Sequence, residues 1–170
     1  MKTLLLLRHG KSDWTSNLAD HDRVLAPRGE EAAGKIGRFL AELGQVPERV
    51  VSSTATRARD TAERAAKAGE WEPEIETRSD FYGIDPDQLL EWVQGVEEPT
   101  GSLLLVGHQP TWSMFAEGLI GGGNLRFPTA ALARIDLHVE HWRDIDFGVG
   151  ELVWHQIPRV LKKIRWPQDA

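Results

Sequence analysis

Two histidines each stand beside a glycine at the end of a short leucine-rich run, in Arg8-His9-Gly10 and in Gly107-His108. A third polar cluster, Ser52-Ser53-Thr54-Ala55-Thr56-Arg57, follows the apolar pair Val50-Val51. A guanidinium offers a planar fork of donors that fits phosphate oxygens, and a neutral imidazole is a nucleophile able to carry a covalent intermediate near physiological pH. Brought together, the two imidazoles and two guanidiniums make a phosphoryl-transfer constellation. The chain has no cysteine, so a thiolate nucleophile, a disulfide scaffold and a Cys-ligated metal centre are all excluded.

The elements that would position these residues can be read from periodicity. Residues 4–7 are four consecutive leucines, the signature of a strand buried on both faces. Ala32, Ala33, Ile36, Phe39, Leu40 and Leu43 recur at helical spacing, with Pro27 suited to the first turn and Gly44 to the stop, which predicts a helix over 27–43. A short strand over 49–53 and an alanine-rich helix over 55–68 follow. Asp85-Pro86-Asp87-Gln88 reads as a capping box ahead of Leu89, Leu90, Val93 and Val96. A buried strand over 102–106, a helix over 110–119 ended by three glycines, and β-like stretches at 132–137 and 151–157 complete the pattern. A short helix is expected over 158–163, and 138–150 carries no clear period. Alternating strands and helices predict a three-layer α/β/α sandwich with a mostly parallel central sheet. In such sheets ligands bind beyond the carboxyl ends of strands, where all three polar clusters fall.

A chain of 170 residues, 41% hydrophobic and 27% charged, fits one ordinary globular domain over 1–170. With 20 Lys+Arg against 26 Asp+Glu, the formal charge of −6 opposes a nucleic-acid partner, while a local basic pocket stays compatible with it. Four leucines before Arg8 are too few for a signal sequence or a membrane span, so no membrane association and a cytoplasmic location are expected.

Arg8-His9-Gly10, the segment from Ser53 to Ala62 with Arg57-Ala58 and Thr61-Ala62, and Gly107-His108 together resemble the histidine phosphatase superfamily, the phosphoglycerate-mutase-like enzymes. Within it, Arg8-His9-Gly10-Lys11-Ser12-Asp13-Trp14, Asp22-Arg23-Val24-Leu25 and Arg28-Gly29 are most similar to the small SixA-type phosphohistidine phosphatases, over nearly the whole chain. The resemblance implies His9 as the nucleophile that becomes phosphorylated, Arg8 and Arg57 as the clamp on the transferring group, and His108 as a second pocket imidazole. It adds Arg23 as a further phosphate contact. No metal or other cofactor is expected, because cationic side chains take the place that Mg²⁺ holds elsewhere. The implied substrate is a phosphorylated protein or a small phosphorylated compound.

Larger members of the superfamily carry a leaving-group acid that SixA-type members lack at the usual place. Asp80 and Asp85 are the available candidates here, with Asp85 better explained as a helix cap. Without an acid, phosphoramidates and activated esters are favoured over simple sugar phosphates. Trp14 is a candidate for the rim of the pocket, where its ring could stack on an aromatic substrate. His138 and His141 lack the helical spacing and third ligand of a metal site and are expected to be exposed polar residues. Two other functions remain in view. One is a catalytically silent phosphate-binding module, which would not require a nucleophile. The other is a mutase, for which the chain leaves little room for substrate-covering insertions.

Overall fold

The computed structural model describes residues 1–161. Its strands are β1 (Lys2–Arg8), β2 (Arg49–Ser53), β3 (Ile75–Arg78), β4 (Ser102–Gly107), β5 (Leu132–Leu137) and β6 (Gly150–Gln156). The helices are α1 (Pro27–Glu42), α2 (Thr56–Ala68), α3 (Pro86–Gln94), α4 (Thr111–Leu119) and α5 (Pro158–Leu161). One six-stranded sheet runs in the order β3-β2-β4-β1-β5-β6. The first four strands in that order are parallel to one another, whereas β5 and β6 pair antiparallel at the β1 edge.

The leucine run explains why β1 lies centrally. Successive side chains of a strand alternate between faces. Leu4 and Leu6 enter one apolar cluster with Leu89, Val93 and Phe115 of α3 and α4. Leu5 and Leu7 enter the other, with Ile36 and Leu40 of α1 and Ala58 and Ala62 of α2. All four leucines are buried, and at about 1.5–3 kcal/mol for each such side chain the strand is held from both faces. This is the predicted three-layer arrangement.

Most predicted elements recur within a residue or two. Gly44, at φ +62°, supplies the left-handed residue that stops α1, and the capping box at Asp85 and Gln88 is formed in both directions. The edge strand β3 is missing from the periodicity reading because Ile75-Glu76-Thr77-Arg78 has one apolar residue in four. The ambiguous stretch at 138–150 contains a short 3-10 turn, Trp142–Asp144, with Trp142 fully buried. Residues 162 and 163 of the expected last helix lie outside the described residues.

Two close approaches tie the loop after β1 to the helical layer. A Cβ on Gly29 would stand 2.2 Å from the Lys11 carbonyl oxygen, so only glycine lets the first turn of α1 rest on that loop. At the end of β4, a Cβ on Gly107 would stand 2.1 Å from the Trp112 ring.

Candidate active site

Strand register brings the first and third motifs together. β1 and β4 pair in parallel with Arg8 opposite Gly107, so the next residues on each strand, His9 and His108, leave the sheet side by side. Their ring centroids are 5.2 Å apart. β2 pairs with the other side of β4, Ser52 opposite Val106, and α2 begins directly after it. Arg57, in the first turn of α2, is thereby turned back over the same edge, with its Nε 3.4 Å from His9 Nε2. Arg57 is buried, unlike Arg59 and Arg64 of the same helix, which are exposed in ion pairs with glutamates.

The tautomer of His9 follows from its partner. Nδ1 lies 2.7 Å from the Gly10 carbonyl, which can only accept, so Nδ1 carries the hydrogen and Nε2 keeps its lone pair. Burial, with the charges of Arg57 and Arg8 adding to it, pushes His9 down to about 4, and the ring is neutral at physiological pH. His108 is pushed down to about 3 for the same first reason, with His9 and Arg57 reinforcing it. His108 Nε2 lies 2.9 Å from Ser53 Oγ, and that hydroxyl already accepts the Ala55 N–H. His108 Nδ1 is buried without a protein partner.

The loop after β1 is pinned by α2. Gly10 N–H donates to Thr61 Oγ1 at 2.9 Å, and the Thr61 hydroxyl donates to the Arg57 carbonyl at 2.6 Å. Arg8 reaches the other way, donating from Nη1 to the Phe127 carbonyl at 2.7 Å, while its Nε is buried without a partner. Burial and the neighbouring Arg57 charge lower the Arg8 guanidinium from its ordinary value.

Sequence reasoning missed two residues of this site, Asp20 and Tyr82. Asp20 lies in a 3-10 turn of the loop between β1 and α1 and accepts from Arg57 Nη2 at 3.0 Å and from Arg23 Nη2 at 2.7 Å. Its backbone carbonyl accepts Arg57 Nη1 at 2.5 Å. Tyr82 donates its hydroxyl to the same carboxylate, and its ring stands edge-on to His108 at 5.4 Å. The Tyr82 hydrogen bond is the first cause that lowers Asp20, and the same bond raises Tyr82. Both lie in segments without a period; Tyr82 carries no local signal, and the i−3 position of Asp20 to Arg23 was the available clue.

Arg23 is brought to the site, held by Asp20 and stacked 3.5 Å over the Trp14 ring. Trp14 lines the pocket and is 68% exposed, with one face covered by Arg23. The two weak acid candidates lie elsewhere: Asp80 is paired with Arg78, and Asp85 caps α3. His138 is exposed and stands beside Glu151, whereas His141, expected to be exposed as well, is half-buried beside Glu98. The resulting cavity of about 250 Å³ is walled by Arg8, His9, Arg23, Arg57, His108 and Asp20.

Known proteins share the sequence pattern and the fold of this chain. Residues 4–86 match the family model described as the histidine phosphatase superfamily, branch 1. An uncharacterised protein of Mycobacterium tuberculosis is 36% identical over 163 residues, covering 90% of this chain and all of that protein. A candidate phosphohistidine phosphatase SixA from Nakamurella multipartitia superposes with a TM-score of 0.80 at 28% identity, over 92% of this chain and 96% of its own. A second, from Agrobacterium tumefaciens, gives 0.77 at 27% identity, over 92% and 98%. The chain belongs to the histidine phosphatase superfamily and groups with its SixA-type members.

Proposed function

We propose that the chain is a metal-independent phosphatase that hydrolyses phosphohistidine, or a small phosphorylated compound with a comparably good leaving group, through a phosphohistidine on His9. In the first step His9 Nε2 forms a bond to phosphorus while the bond from phosphorus to the leaving nitrogen or oxygen breaks. Water then attacks the same phosphorus, the P–Nε2 bond breaks, and inorganic phosphate leaves. Splitting the displacement in two lowers the barrier to each half.

The observation that carries this reading is the neutral, tautomer-locked His9 with its Nε2 lone pair beside the Arg57 guanidinium. Charge on the equatorial oxygens would be met by Arg8 and Arg57, with Arg23 at the rim and the neutral His108 imidazole beside them. Asp20 is a poor acid for the leaving group, because Tyr82 and two arginines hold it ionised. That favours leaving groups needing little protonation, such as the imidazole of phosphohistidine, over alkoxides. An enzyme is favoured over a silent phosphate-binding module because phosphate capture alone has no use for a nucleophilic Nε2.

The test is a panel of phosphohistidine peptide, aryl phosphate and metabolite phosphates in the presence of EDTA, comparing wild type with His9→Ala. Wild type should turn over the first two, gain a phosphoryl group on His9 that is stable to base and labile to acid, and lose both properties in the variant. Wild-type turnover by His9→Ala would overturn the mechanism.

A further inference from the structure

The catalytic pocket does not end at Arg8. Arg8, Lys11, Gln109 and Thr129 also line a neighbouring cavity, and Lys11 and Thr129 continue into a cleft of about 500 Å³ beyond it. That cleft collects cations from four separate segments: Lys11 after β1, Arg28 in the first turn of α1, Arg126 before β5, and Arg159 in α5. Among the described residues no carboxylate lines it; Glu117 lines the neighbouring cavity, where its Oε1 accepts the Leu125 N–H at 2.7 Å. Among the described residues none of these four is ion-paired, although acids outnumber bases in the chain and Arg23, Arg49, Arg57, Arg64, Arg78 and Arg134 each have a carboxylate partner.

Like charges converging in one cleft repel each other, and that cost is recovered when an anion enters. The remaining walls are largely apolar, with Ala32, Leu125, Pro128 and Ile157. His155 also lines the cleft, with a buried Nε2 that has no partner and a ring lowered by burial, so it offers a neutral polar contact. A volume of this size matches a small organic ligand.

We propose that this cleft is a second anion subsite. It selects small substrates that carry, beyond the transferred phosphoryl group, a distal carboxylate or phosphate at the end of a neutral spacer. The inference rests on the phosphatase reading above and names its substrate class. The phosphoryl group sits between His9 and Arg57, the spacer passes Lys11 and Thr129, and the distal anion lies against Arg28 and Arg126.

The experiment uses two aryl phosphates that differ only at the far end of a para-alkyl arm, one ending in a carboxylate and the other in a carboxamide. Wild type should favour the carboxylate by about tenfold in kcat/KM, on the scale of one lost charge-assisted hydrogen bond, and mainly through KM. The Arg28→Gln, Arg126→Gln double variant changes two exposed residues outside the catalytic pocket. It should erase the preference and leave turnover of the carboxamide unchanged. Equal rates in wild type, or a preference that survives the double variant, overturns the subsite. Wild type that hydrolyses a phosphohistidine peptide but neither aryl phosphate also overturns it while leaving the His9 reading intact; wild-type turnover of the carboxamide by His9→Ala sinks that reading instead. Inorganic phosphate in a third arm should inhibit the carboxylate and carboxamide substrates equally if it enters only the catalytic pocket. Selective inhibition of the carboxylate substrate, lost in the double variant, further supports the cleft.

Discussion

Arg57 Nε stands 3.4 Å from His9 Nε2, so the clamp and the candidate nucleophile are held by one contact that a phosphoryl group can divide between them. The lone pair that would attack phosphorus and the guanidinium that would hold its oxygens face each other across the pocket. The contact places a cation beside the imidazole, which is one reason that the ring stays neutral. Arg57→Ala should lower kcat/KM by about 10²–10³, the scale of losing one preorganised donor to a developing charge. Arg59→Ala, two residues on and exposed, should change it by less than twofold. Steady-state kinetics on an aryl phosphate compares the two.

Asp20 fixes how Arg57 is presented. Its carboxylate and carbonyl together take both terminal nitrogens of that guanidinium, and the carboxylate also takes Arg23. Asp20→Ala should release both arginines and lower kcat/KM about tenfold, with KM rising, since positioned charge is worth more than mobile charge. Tyr82→Phe removes one of the donors to that carboxylate and should have the smaller effect. Kinetics of the two variants ranks them; an Asp20→Ala enzyme equal to wild type would remove Asp20 from the site.

The two buried imidazoles set a pH dependence. Their folded values, about 4 for His9 and about 3 for His108, lie below the ordinary 6.5, so the unfolded chain takes up these protons first. The stability associated with keeping them neutral is fully present above about pH 6.5. It should be lost as pH falls from there towards 3 and then level off. Denaturant unfolding at a series of pH values measures the slope, and His9→Ala with His108→Ala should flatten it. In the folded protein, NMR titration should find His9 still neutral at pH 5.

Thr61 is the least conspicuous part of the site. It is fully buried, accepts the Gly10 N–H and passes a hydrogen bond to the Arg57 carbonyl. Thr61→Val keeps the shape and strands a buried N–H, which should cost about 1–3 kcal/mol. For a chain of this size that is a fall in Tm of several degrees, about 2–4 °C per kcal/mol, accompanied by slower turnover as the loop carrying His9 loosens. Thermal unfolding and kinetics on the same sample check both.

The gathering of Arg8, His9, Arg57 and His108 at one sheet edge was readable from the sequence alone because each follows a strand that its own residues announce. Leu4 to Leu7, Val50-Val51 and the run ending at Gly107 can each bury both faces, and chain order then places the polar residues at one end of the sheet. Trp14 and Arg23 could be named as neighbours of that site, but their stacking on each other could not. β3 escaped because an edge strand needs little apolar surface. Asp20 and Tyr82 escaped because a loop and a 3-10 turn have no period, and 62 positions of sequence separate the two partners of one hydrogen bond.

By itself, then, the sequence determined the layers, the clustering of imidazoles and guanidiniums at strand ends and the absence of a thiol, since these depend on residue type and local spacing. Only the tertiary structure decided which nitrogen of His9 bears the lone pair, which carboxylate orders the arginines, and that Lys11, Arg28, Arg126 and Arg159 share one cleft. Those facts arise from contacts between segments far apart in the chain. Hydrogen bonding and electrostatics act over a few ångströms of space, and sequence distance carries no measure of that.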